Sequence, residues 1–188
     1  MRKAVLFALP FLAACGDDSA LTSDEVLERA GTLEKPQPGL YATTTELVDF
    51  EVPGLAPQQA DRFREQMEGM SSEQQPRCLT AAQAERGFED MLKSIGEDAN
   101  GMSCAFDRFD VDAPNLSADL GCDGPMGAGA QIGFAGTTDA QGFDLAMDME
   151  ASAPVIPGGT MQMRFKVTSQ RIGECSEADI ADGNTTIE

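Results

Sequence analysis

The chain contains no histidine and no tryptophan, and Tyr41 is its only tyrosine. Lack of histidine removes the usual general base, the commonest zinc ligand and the side chain that titrates near neutral pH. A Ser-His-Asp or Cys-His arrangement therefore cannot be assembled. Cations are scarce too: 13 lysines and arginines stand against 32 aspartates and glutamates, for a net charge of -19. Such a surface repels phosphates, so nucleic acid is not expected as a partner. Long hydrophobic runs are also missing. The one sustained apolar segment, AVLFALPFLAA from Ala4 to Ala14, contains Pro10. It falls well short of the ~20 residues that a membrane-spanning helix needs.

What that segment has is the build of an export signal. Met1, Arg2 and Lys3 form a basic start, the apolar run follows, and Leu12-Ala13-Ala14-Cys15 closes it with small residues and a thiol. These four residues resemble the bacterial lipobox. By that resemblance residues 1–14 are a lipoprotein signal peptide, and Cys15 becomes the lipidated first residue of the mature chain. Removing Arg2 and Lys3 makes the body more acidic still, so electrostatics would not hold it on an anionic membrane. Acyl chains would, at about 0.8 kcal/mol per buried methylene. The expected address is the bacterial cell envelope, facing the periplasm and membrane-bound through the N-terminal lipid. Gly16 rather than Asp follows Cys15, which points to the outer rather than the inner membrane.

Export settles what the other thiols do. Cys78, Cys104, Cys122 and Cys175 form an even set in an oxidising compartment, so two disulfides are expected. Three pairings are possible. No CxxC pair suggests a metal site in their place.

Residues 15–38 read as an acidic, proline-bearing tether in which Thr22 to Glu25 can cap one short helix with Val26, Leu27 and Ala30 on a face. Residues 39–175 read as the folded domain, and 176–188 as a flexible acidic tail. GLYATTTELVDFEV, from Gly39, is the first strand. Leu40, Ala42, Val48, Phe50 and Val52 are assigned to its apolar face, and Tyr41, Thr43 and Thr45 to the other. Helices are expected from about Gln58 to Gly69 and from Thr80, where Thr80 to Gln83 forms a capping box, to Gly96. After Gly101 the hydrophobic period changes to 2, and four further apolar runs alternate with turns through Val167. The fold class that follows is α+β. It is an antiparallel meander of about six strands, a curved sheet or partial barrel, with two flanking helices and two disulfides.

One hairpin allows a finer reading. Across a turn at Ala113-Pro114, Val111 faces Leu116 and Phe109 faces Ala118. A one-residue bulge near Asp107-Arg108 then brings Phe106 to Leu120 and Cys104 to Cys122, returning every apolar residue to one face. This favours the bridge Cys104–Cys122 and, by elimination, Cys78–Cys175.

PGLYATTTE, PRCLTAAQA, the Cys104-to-Cys122 hairpin followed by DGPMG, and the terminal RIGEC resemble the bacterial domain-of-unknown-function family 3617. The likeness runs from about Pro38 to Cys175. It departs where that family commonly has a tryptophan, since Leu40-Tyr41 follows Pro38-Gly39. Membership implies a small secreted protein, often with a lipoprotein signal, and no established activity.

No catalytic pattern stands out. Lys93-Ser94 is an unsupported Ser-Lys pair. Asp107, Asp110 and Asp112 lack the glycine and distal glutamate of a calcium loop and read as acidic protection of a strand edge. Ten methionines, including Met147, Met149, Met161 and Met163, raise the question of Cu(I), but each of these four falls on the apolar phase of its strand and reads as core filler. The glycine-rich stretch Gly124 to Gly133 has no phosphate-binding pattern. No cofactor or metal is expected. The expected function is a non-enzymatic binding or interaction module. Its partner is another envelope protein or, in the carrier alternative, an apolar small molecule or lipid held between helices and sheet. A periplasmic metal-handling role is the remaining alternative.

Overall fold

A computed structural model describes residues 20–70, 76–96 and 101–177. The signal segment 1–14, the Cys15 lipidation site and nearly all of the expected tail lie outside the described residues. Seven strands form one antiparallel sheet: β1 (Gly39–Glu51), β2 (Arg77–Leu79), β3 (Ser103–Asp112), β4 (Asn115–Asp123), β5 (Gly129–Asp139), β6 (Gly142–Ser152) and β7 (Thr160–Gly173). Their order is β2-β1-β7-β6-β5-β4-β3. The sheet has two free edges and is therefore open, not a partial barrel. The extra strand beyond the expected six is β2, three residues that pair with Gly39 to Tyr41. It is too short to carry a readable alternation.

Among the described residues four α-helices, not two, accompany the sheet: α1 (Ser23–Ala30), α2 (Pro57–Met70), α3 (Ala81–Arg86) and α4 (Glu89–Gly96). The helix expected to run from Thr80 to Gly96 is broken at Gly87, whose φ of 60° leaves the right-handed helical region. Thr80 caps α3 as expected, its hydroxyl accepting from the Gln83 amide while the Gln83 side chain accepts from the Thr80 amide. The same device starts α1, with Thr22 and Glu25. Glu25 sits below its ordinary carboxylate value, chiefly because its carboxylate accepts from the Thr22 backbone and then the Thr22 hydroxyl.

Helix α1 changes the reading of residues 15–38. Val26 and Ala30 are buried with Leu92, Phe106, Phe109, Ala118 and Leu120 in one core cluster, and Leu21 pairs with Phe106 as an isolated bridge. Leu33 is also buried. The segment from Leu21 to Leu33 therefore packs as part of the folded body. A second cluster joins Leu47, Phe50, Val52, Met163 and Phe165, with Met67 of α2 packed against it. Phe63 of α2 stacks on Phe50 at 6.1 Å, nearly parallel.

The β3–β4 register is Val111 to Leu116, Phe109 to Ala118, Phe106 to Leu120 and Cys104 to Cys122, with the shift between Phe106 and Arg108. Disulfides join Cys104 to Cys122 and Cys78 to Cys175. A second shift was not legible in the sequence. Leu47 pairs with Phe165 but Asp49 with Arg164, so Val48 is the extra residue of a bulge. The face of β1 therefore changes phase there. Leu47 is buried and Val48 is half exposed, and Tyr41, Thr43 and Thr45 share the apolar side of the sheet with Phe50 and Val52.

Candidate functional site

The phase change in β1 builds a cleft at one end of the apolar face. Its floor is Tyr41 and Thr43 of β1, Ser169 of β7 and Phe143 of β6. These are adjacent in register: Thr43 faces Ser169, which faces Phe143. Its roof is Phe88, Met91 and Gly87 from α3–α4, and Cys78 with Leu79 closes one side. The break at Gly87 matters locally. It redirects the chain so that Leu92 enters the core cluster, with Phe88 and Ile95 packed against it, while Phe88 and Met91 overlook the floor. The cleft is open on one side and has a volume of about 270 Å³. An apolar cavity of roughly 150 Å³ holds benzene, so this one suits a ring system or a short acyl chain.

The polar groups on the floor are already engaged. The Tyr41 hydroxyl lies 2.7 Å from the Gln37 carbonyl and 3.2 Å from that of Ala140, and donates to them. Burial pushes that hydroxyl above its ordinary value, with Arg171 pulling the other way. It stays protonated at neutral pH and is a fixed donor, not a base. Thr43 Oγ1 and Ser169 Oγ hydrogen-bond at 3.0 Å. Asp139 accepts from the Gln141 and Gly142 amides, and Asp90 pairs with Arg86 at 2.7 Å. With its hydroxyls engaged and Arg77 exposed at its rim, the cleft can contribute shape, apolar contact and one cationic group. It has no activated nucleophile.

The opposite face of the sheet is charged. Asp49 and Arg164 lie side by side, Arg164 pairs with Asp148, and Arg108 pairs with Asp119 at 2.7 Å and Asp110 at 3.0 Å. A shallow depression of about 310 Å³ over Gly133 sits among these side chains, but its acids are spread along the ladder. Among the described residues, no three His, Cys, Asp or Glu side chains converge as a metal would require. Asp107, Asp110 and Asp112 lie on the edge strand β3, with Asp110 engaged by Arg108 and Arg29. The four methionines face the second core cluster, where Met163 is buried and Met147, Met149 and Met161 pack around it. Lys93 is bonded to Glu89, which raises its pKa and keeps it protonated; it cannot serve as a base for a serine.

Sequence reasoning found Phe88, Met91 and Phe143 as apolar-phase residues without bringing them together, and it placed Tyr41 and Thr43 on the wrong face. The signal that could have corrected this was Leu47-Val48, two adjacent apolar residues of which only one can point inward.

The chain belongs to the family described as Protein of unknown function (DUF3617), matched over residues 36–175. No curated protein and no solved structure matches it. The match takes in the whole sheet, α2 to α4 and both disulfides, so the DUF3617 region contains every wall of the cleft. Among the described residues, no helix is long and apolar enough to cross a membrane.

Proposed function

We propose that this DUF3617 protein is a lipid-anchored protein of the bacterial cell envelope, facing the periplasm, that works without catalysis as a binding module. Its ligand is an apolar small molecule or lipid fragment held in the cleft between α3–α4 and the sheet. The observation that carries the reading is the composition of that cleft: aromatic and thioether side chains converge on a 270 Å³ space whose floor hydroxyls are already engaged. Such concave apolar sites are where small ligands bind. The basic start, apolar run and Cys15 support the anchor.

Native mass spectrometry of protein extracted gently from envelopes tests the ligand. The native protein should carry a non-covalent apolar mass, and Phe143→Glu should lose it and bind an apolar fluorescent dye at least tenfold more weakly. Bare native protein with no dye affinity would end the reading.

A protein partner is the second reading. Phe134, Leu145 and Met147 form a floor between the helical layers that is only partly covered, which favours docking of another envelope protein there.

A further inference from the structure

The connections of the sheet sort onto two ends of very different character. At one end the last rung runs through Ser103, Asp123, Gly129, Ser152 and Thr160. Beyond it lie the β4–β5 turn GPMGA (124–128) and the β6–β7 loop APVIPGG (153–159), with VPGLA (52–56) following β1. None of these three connections contains a charged residue, in a chain of net charge -19. The segment after β1 packs on the β6–β7 loop: a Cβ on Gly54 would come within 2.2 Å of the Pro157 backbone, so only glycine permits the approach. The two most exposed large apolar side chains of the described residues are here, Met126 at 88% and Val155 at 86%. The opposite end carries Asp112, Asp139, Arg171 and Glu174.

The folded body begins close to the uncharged end. Leu21 pairs with Phe106, three residues from Ser103, which is about 10 Å along a strand. Cys15 is six residues before Leu21 and so lies within about 20 Å of it, enough to reach the Ser103 end although the antiparallel bridge brings the chain in from the Asp107 side. A lipid on Cys15 would hold the body against the bilayer, and some face must meet the headgroups. One face of the sheet carries the ladder of charged side chains, whereas the three connections at this end carry none. Exposed apolar tips on an uncharged surface are suited to shallow burial at the boundary between headgroups and acyl chains.

We propose that this end of the sheet is a membrane-contact surface, with Met126 and Val155 entering the bilayer interface beside the acyl chains of Cys15. The proposal rests on the lipid anchor in the functional reading above. It sets the orientation of the ligand site: Phe143 is nine residues from Ser152 along β6, so the cleft opens about 30 Å from the membrane.

Because the chain has no tryptophan, single reporters can be placed without background. Full-length lipidated protein carrying Met126→Trp, Val155→Trp or, at the far end, Gln141→Trp is reconstituted into phosphatidylcholine vesicles with brominated acyl chains. Emission at positions 126 and 155 should shift to the blue and be quenched at least twofold, while that at 141 stays unchanged. Protein that floats with the vesicles but shows no quenching at 126 and 155, or equal quenching at 141, overturns the contact surface and leaves the anchor standing. Protein that fails to float overturns the anchor itself. The three positions are exposed, and far-UV circular dichroism of each variant verifies that the fold is kept.

Discussion

Leu47 and Val48 are neighbours in sequence and opposites in structure. Leu47 is 8% exposed and packs in the second core cluster, whereas Val48 is 51% exposed at the bulge. The two sites separate burial from composition. Leu47→Ala should cost about 2–5 kcal/mol, the range for truncating a buried leucine, while Val48→Thr should stay within about 0.5 kcal/mol, as exposed substitutions do. Urea denaturation of the two variants measures both. Similar losses would mean that β1 has no bulge, and Tyr41 and Thr43 would then leave the cleft. A single extra residue thus decides whether Tyr41 and Thr43 floor the cleft.

At the level of elements, the hairpin β3–β4 was readable down to its register because its landmarks constrain one another. Pro114 fixes the turn, the apolar residues fix the phase on each strand, and the two cysteines require one slip between them. The strands from β4 to β7 were readable for the same reason, through strict alternation. Three features were not. Strand β2 is shorter than any period, and the break at Gly87 lies within an apolar stripe that keeps helical spacing across it. The docking of α1 depends on long-range contacts with Leu92, Phe106 and Phe109. The β1 bulge at Val48 was a fourth, and the cleft inherits these gaps, since its roof follows the Gly87 break and its floor follows that bulge. The disulfides bear on elements too. Cys78–Cys175 spans 97 residues and ties β2 to the end of β7, whereas Cys104–Cys122 spans 18. In the chain-entropy account, removing the first costs about 4–5 kcal/mol and the second about 3 kcal/mol. Thermal unfolding of the paired serine variants checks the order. The Cys78→Ser, Cys175→Ser protein should also lose dye affinity, because Cys78 walls the cleft. The reverse order of stabilities would show that strain or residual structure, not loop length, governs these bridges.

For the whole molecule, the charge ladder on one face, the apolar cleft on the other and the uncharged end of the sheet give three surfaces with three chemistries. On the proposed function they are arranged around a membrane: acyl chains at the N-terminus, neutral loops at the bilayer, charged flanks in solvent and the cleft held away from the surface. All of it depends on what happens to Cys15. The most direct test is the intact mass of the protein processed in a bacterium that makes lipoproteins. The expected product begins at Cys15, carries a diacylglycerol thioether and shows four fewer hydrogens than the fully reduced chain. A product that retains residues 1–14, or one with a free thiol at position 15, would contradict it.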